Sequence, residues 1–166
     1  VSINVCERNV SSSGRTALYN SQVFLRGAKI VPVYRKFHPF WPTCFATPDL
    51  VYDIMEIASR SDPSHSVKLG CFTCYDIVFS EPKDGLVKRG VKLFSYSSAI
   101  PLIGVAAVKL FSWLSNSTVV SSNNILGESG IFASGTVLSS CGSASSSPSP
   151  AAVVLGGGEA RYSYCL

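Results

Sequence analysis

The clearest candidate for chemistry in this chain is one thiol, Cys74, in the stretch Gly70-Cys71-Phe72-Thr73-Cys74-Tyr75-Asp76-Ile77-Val78-Phe79-Ser80-Glu81-Pro82. The β-prone run from Val67 to Thr73, bounded upstream by Asp62-Pro63, predicts a short core strand, and its apolar continuity breaks at Tyr75-Asp76. A cysteine where a strand gives way to a turn or helix start can have free backbone N–H groups aimed at it, that of Tyr75 first. Such donors favour a thiolate and can hold a developing oxyanion. The same residues also fit Cys74 as one more small buried hydrophobe. Cys71 and Cys74 form a C-x-x-C, which invites a redox or zinc reading. No second C-x-x-C and no histidine pair at ligand spacing accompany it, and residues three apart on a strand point to opposite faces, so no metal site is expected. His38 is imaginable as a base for Cys74, although a lone loop histidine is more often a polar surface group.

The elements that must position these groups read mainly as short strands. Val1 to Val5 alternates like a strand, and Arg8 to Arg15 is a polar loop. Tyr19 to Leu25, a turn at Gly27, and Lys29 to Tyr34 make a hairpin. Phe37 to Cys44 packs three aromatics and two prolines into a stiff loop that either lines a pocket for an apolar ligand or covers the sheet. Pro48 to Ser59 fits a helical stripe and a strand equally, with Glu56 facing solvent. Pro82 to Gly90 reads as a short surface helix or loop, Val91 to Ser95 as a strand, and Leu102 to Ser115 as an amphipathic helix. Ser139 to Pro150 is rich in Ser and Pro, and Val153 to Gly158 ends in three glycines. The expected division is a folded segment over 1–138 and a low-complexity, flexible tail over 139–166.

The Gly70–Pro82 stretch resembles the nucleophile motif of the nitrilase (carbon–nitrogen hydrolase) superfamily, in particular its vanin and biotinidase branch, whose motif has the form G-x-F-T-C-F/Y-D-I. Cys74 matches the nucleophile, and Cys71 stands where the family usually has an aliphatic residue. The resemblance continues upstream through Gly14-Arg15, Tyr19-Asn20, Val23-Phe24 and Tyr34-Arg35-Lys36, and downstream through Ser98-Ala99, Thr118 to Asn123 and Gly127 to Ala133. It implies that Lys36 sits beside the nucleophile and helps stabilise the tetrahedral intermediate; spacing alone fits an exposed strand-end lysine. It implies pocket roles for Tyr75, Ser98 and Ile100, the last replacing a family tryptophan. Two departures stand out: no carboxylate follows Lys36 until Asp49, and Lys109 stands where the family carries a supporting Glu. If Lys109 points inward, the local charge is inverted. The family's general-base Glu corresponds to sequence before Val1. The fold implied is mixed α/β, an incomplete nitrilase-like αββα sandwich made of the C-terminal half of that domain.

Composition bounds the remaining possibilities. The 166 residues are 46% hydrophobic and 14% charged, enough for one sizeable core. The net charge of +4 is scattered, with no basic run interleaved with aromatics, so nucleic acid is not an expected partner. The longest apolar candidate, Ala99 to Leu114, is broken by Pro101, Gly104 and Lys109, so no membrane span is expected. The N-terminal residues lack an initiator Met and the features of a signal peptide, and read as part of a longer chain. Six cysteines and the sequons at Asn9 and Asn116 point to an oxidising, secreted setting with glycosylation and disulfides, Cys165 being placed to staple the tail to Cys141 or Cys6.

The expected function is an amide hydrolase segment with Cys74 as nucleophile, its Glu base supplied by a second chain from the same precursor, and no cofactor. The alternatives are an inactive nitrilase-fold protein that holds an apolar or Cys-linked ligand, and a secreted interaction protein in which all six cysteines are bridged. An isolated half would leave a sheet edge and face open, so a companion chain or a homo-oligomer is expected.

Overall fold

In the computed structural model, the described residues are 1–27, 29–59, 62–100, 104–123, 129–141, 151–153 and 161–163. Strands β1 (Ser2–Val10), β2 (Thr16–Arg26) and β3 (Lys29–Arg35) form one antiparallel sheet in that order. The expected loop from Arg8 is shorter than its composition suggests. Pairing with β2 carries β1 to Val10, opposite Thr16, and the reversal is confined to a turn closed by Gly14 at φ 78°. Gly27, at φ 62°, turns the chain into β3 as its permissive backbone allows.

The second sheet has six strands in sequence order: β4 (Met55–Ala58), β5 (Ser66–Thr73), β6 (Leu93–Ser98), β7 (Thr118–Asn123), β8 (Ser129–Ala133) and β9 (Thr136–Cys141). Strands β5, β6 and β7 run parallel and the outer pairs antiparallel. Parallel neighbours need crossovers. Here they are a 3₁₀ turn, Cys74–Val78, with helix α1 (Lys83–Lys88) between β5 and β6, and helix α2 (Gly104–Leu114) between β6 and β7. Pro48 to Ser59 becomes neither of its two readings along most of its length. Only Met55–Ala58 is regular, as an edge strand on β5, and Glu56 is exposed as expected. Strand β9 runs past Leu138 to Cys141, and β10 (Ala151–Val153) pairs with β11 (Arg161–Ser163).

The two-residue period of the strands sorts the layers. Phe72, Phe94 and Tyr96 point to one face of the large sheet, where Phe111 of α2 meets Phe72 and Phe94 edge-on at 5.1 Å each. Thr73, Ser95 and Ser97 point to the other face, toward the three-stranded sheet, and meet Gln22 of β2. Gln22 is 1% exposed and spends its whole amide there: Nε2 donates to Ser2 Oγ and Ser95 Oγ at 2.8 Å, while Oε1 accepts from Thr73 Oγ1 at 3.0 Å and Ser97 Oγ at 3.2 Å. A buried amide so fully satisfied fixes the registration of one sheet on the other. Among the described residues, no helix is long and apolar enough to cross a membrane.

Candidate active site

Cys74 is the first residue after β5. It takes φ 52°, a left-handed backbone uncommon for a residue with a Cβ. Two neighbours hold that conformation. The Tyr96 hydroxyl donates to the Cys74 carbonyl at 2.9 Å, and the Asp76 carboxylate accepts the Thr73 N–H at 3.0 Å, so the chain is pinned on both sides of the thiol. Cys74 is half-buried and opens on a cavity of about 860 Å³ lined by residues of both sheets.

Lys36 continues β3 by one residue, its N–H bonding the Asn20 carbonyl at 2.7 Å. Its side chain is 2% exposed, and its ammonium donates to the Thr73 carbonyl and stands 3.7 Å from Asp76 Oδ2. Burial holds this lysine below its ordinary pKa and outweighs the opposing pull of Asp76 and Cys74. The strand-end lysine is therefore turned inward beside the Cys74 turn.

Asp76 is the residue that the sequence reading left unassigned. It is fully buried and receives donors from three directions besides the Thr73 N–H: the Tyr34 hydroxyl at 2.7 Å, the His38 N–H at 2.9 Å and His38 Nδ1 at 3.2 Å. Burial first, and then the Asp76 charge, push the Tyr34 phenol well above the ordinary tyrosine range. Lys36 thus faces a carboxylate two residues after Cys74, at the Asp position of the motif, and the loop after Lys36 brings none beside it. The signal was in the sequence: Thr73-x-x-Asp76 has the form of a capping box at the start of a helical turn. His38 bonds to Asp76 rather than serving Cys74, and its ring stacks on Phe79 at 3.9 Å between centroids.

The other candidates fall as follows. Tyr75 is 41% exposed at the cavity rim. Ser98 and Ile100 line the cavity; Ser98 Oγ is buried without a hydrogen-bond partner of normal geometry, and the Ile100 carbonyl accepts Asn123 Nδ2 at 2.8 Å. Lys109 is exposed, so it inverts no charge at the site. Asp49 borders a separate cavity of about 370 Å³ with Glu7 and Arg35. Cys71 is 2% exposed, and burial pushes its thiol far above the ordinary range, leaving Cys74 as the accessible member of the C-x-x-C. Cys6, Cys44, Cys71 and Cys74 carry free thiols, with Cys6 and Cys44 exposed. The bridging expected of Cys141 and Cys165 falls on side chains outside the described residues, and so do the first two residues, 127–128, of the stretch Gly127 to Ala133 that resembles the family. Asn116 is exposed in the turn before β7, whereas Asn9 is half-buried within β1. Among the described residues, no group of three or more His, Cys, Asp or Glu is placed to hold a metal.

No family model matches the chain. A biotinidase of Takifugu rubripes is 27% identical over 127 residues, which are 74% of this chain and 24% of that protein. Among solved structures, a mutant of the Nesterenkonia AN1 amidase from the nitrilase superfamily superposes with a TM-score of 0.66 at 13% identity, over 86% of this chain and 57% of the amidase. A carbon–nitrogen hydrolase from Helicobacter pylori G27 gives 0.64 at 18% identity, over 86% and 58%. The chain spans about a quarter of the curated relative's length and a little over half of these two enzymes. Together, the sequence match and the superpositions show that this chain carries the mixed α/β fold of the nitrilase, or carbon–nitrogen hydrolase, superfamily over part of that domain.

Proposed function

We propose that the chain is the nucleophile-bearing segment of an amide hydrolase, and that a second segment completes it. One observation carries this reading: an accessible thiol in left-handed backbone faces the cavity, with a buried ammonium held beside its turn by Thr73 and Asp76. Cys74 Sγ attacks the amide carbonyl carbon, forming a C–S bond as its proton passes to a carboxylate base. The Lys36 ammonium and the Tyr75 N–H carry the oxyanion. Collapse breaks the C–N bond, and the base returns the proton to the departing amine. A water that gives its proton to the same base then attacks the thioester; the C–S bond breaks, the acid leaves and the thiol is restored.

The described cavity lining contains no carboxylate, so the base is assigned to a companion segment. Ser2, Ile3 and Asn4 of the outer strand β1 form part of that lining, so a polypeptide seated on this edge would reach the cavity. The biotinidase match makes a biotinyl amide the first compound to try, alongside pantetheine-type linear amides. Secretion, with a glycan on Asn116 and a less accessible acceptor at Asn9, fits the same reading. The aromatic wall of the cavity favours a second one, a catalytically silent protein that holds an apolar ligand.

Intact mass of native material under non-reducing, denaturing conditions, before and after a thiol-reactive probe, separates the two. A co-purifying polypeptide, probe uptake at Cys74 and turnover of an amide panel by the pair support the hydrolase. A lone chain whose Cys74 takes up no probe overturns it, and extra mass already on that thiol moves the assignment to a ligand carrier.

A further inference from the structure

We infer that Trp113 is the seat of the sugar carried on Asn116: the first N-acetylglucosamine of an N-linked glycan lies on the open face of the indole and covers the apolar outer face of α2. This rests on the secreted, glycosylated reading above and adds what the glycan does once attached. The helix face comes first. Leu110, Trp113 and Leu114 recur at the three- and four-residue spacings of one helix face and are all exposed, Trp113 by 63%. The opposite side of α2 is the packed one, with Val108, Phe111 and Ser112 buried. An indole left this open between two exposed leucines is apolar surface with no cover among the described residues.

The sequon is fixed beside that ring. Asn116-Ser117-Thr118 begins two residues past the end of α2. The Asn116 N–H donates to the Trp113 carbonyl at 3.2 Å, and Asn116 takes φ 45° in the turn so closed. The β8–β9 turn, Ser134-Gly135, then ties both side chains to one support. Ser134 Oγ donates to Asn116 Oδ1 at 2.8 Å, and Gly135 lies so close to Trp113 that a Cβ there would stand 3.0 Å from Trp113 Cβ and 3.4 Å from Cδ1. That turn is itself held, the Gly135 N–H donating to Ser112 Oγ at 2.9 Å and the Ser134 N–H to the Ser117 carbonyl at 3.0 Å. With Oδ1 engaged, Nδ2 is the atom of the Asn116 amide left without a partner among the described residues, and it is the atom that carries an N-linked sugar. The donor is an oligosaccharide joined through C1 to a lipid diphosphate. Nδ2 bonds to C1, the lipid diphosphate leaves with the C–O bonding pair, and one Nδ2 proton passes to the transferring enzyme's base. The pyranose then turns a face of weakly positive C–H groups to the negative face of the indole and keeps its hydroxyls in water.

The test uses the 166-residue chain with Trp41→Phe, which leaves Trp113 as its one tryptophan, secreted from human cells whose glycans are held in the high-mannose form. Endoglycosidase H leaves a single N-acetylglucosamine on Asn116; peptide N-glycosidase F leaves none and converts the residue to Asp. Peptide mass mapping reads occupancy, and acrylamide quenching of fluorescence reads access to Trp113. One sugar is expected to suffice: the trimmed and fully glycosylated proteins share a quenching constant about twofold below that of the stripped protein. The trimmed protein is also expected to exceed the stripped one about fivefold in its folded-to-unfolded ratio, followed by circular dichroism in urea, and the exposed truncation W113A is expected to abolish that gain. A glycan on Asn116 whose removal leaves quenching unchanged, protection that needs the whole glycan, or a gain that survives W113A would overturn the inference and leave the glycan standing. A bare Asn116 would overturn the glycosylated reading with it and hand the α2 face to a protein partner.

Discussion

Lys36 and Asp76 form a buried ion pair that neither residue's immediate sequence context announces, and removing each partner should have a different consequence. Asp76 takes the Thr73 and His38 N–H groups and the Tyr34 hydroxyl as well as facing Lys36, so an amide in its place cannot accept from all of them. Asp76→Asn is expected to cost about 3 kcal/mol in urea unfolding, the range for a buried pair left with one charge. Tyr34→Phe deletes one donor and leaves the carboxylate its other partners, so about 1 kcal/mol is expected. A loss for Y34F as large as for D76N would show that Asp76 matters through Tyr34 alone. Lys36 also carries a pH signature. Its folded-state pKa is depressed, chiefly by burial, so the unfolded chain binds this proton more readily. The group's contribution to stability therefore grows as pH rises from its depressed value toward the ordinary lysine value of 10.5 and is least favourable below that window. Lys36→Met should flatten that alkaline limb in a pH series of urea midpoints. An unchanged limb would assign the titration elsewhere.

At the scale of elements, the three-stranded sheet is cross-braced by Glu7 on β1. Its carboxylate accepts Arg35 from β3 at 2.5 and 2.9 Å and Ser21 from β2 at 2.7 Å. The Arg35 hydrogen bond, more than any other contact, holds Glu7 below its usual range. A depressed carboxylate stabilises above its unfolded pKa and ceases to do so as pH falls through the folded value. Glu7→Gln should therefore lower stability by about 0.5–1 kcal/mol near neutrality, solvent screening included, and converge with the parent at acid pH. Gly130 makes a harsher test in the other sheet. A Cβ there would collide with the Ser139 carbonyl of β9, so Gly130→Ala should destabilise more than Gly70→Ala, whose new methyl meets only the side chains of Val91 and Leu86. These elements differ in how much of them could be read beforehand. The β2–β3 hairpin was legible because two strand-like runs flank a turn glycine, Gly27. Pro48 to Ser59 was not, because residues 50, 51, 54, 55 and 57 satisfy two periods at once and only pairing with β5 decides for Met55–Ala58. The Cys74 turn and the inward Lys36 were legible through motif resemblance. The role of Asp76 was not, despite its capping-box spacing, because its partners Tyr34, Lys36 and His38 lie about forty residues upstream and meet it only once the sheets pack. Gln22 was hidden for a related reason: only the packing of one sheet on the other decides that a polar residue in β2 is buried and fully bonded.

Among the described residues a six-stranded sheet packs on one of three strands, and the three-stranded sheet ends on β1, a nine-residue strand bonded on one side only within the described structure. Its apolar side chains Ile3 and Val10 are 41% and 54% exposed, an edge of the kind that recruits another strand. The same strand brings Ser2, Ile3 and Asn4 to the Cys74 cavity, so a polypeptide added along β1 would both cover the edge and place a side chain within reach of the thiol. Assembly and activity are therefore expected to be coupled through one strand. Val10 lies at the far end of β1 and does not line the cavity, which makes it the residue to change. Val10→Lys should weaken association several-fold, whether the occupant is a companion segment or a second copy, because a lysine on an edge strand opposes further pairing. Capture of a small iodoacetamide by Cys74 in the isolated chain should not change. Sedimentation equilibrium gives the first quantity and peptide mass mapping the second. Unaltered association in V10K would mean that the partner sits elsewhere, and that the base assigned to it must reach Cys74 by another route.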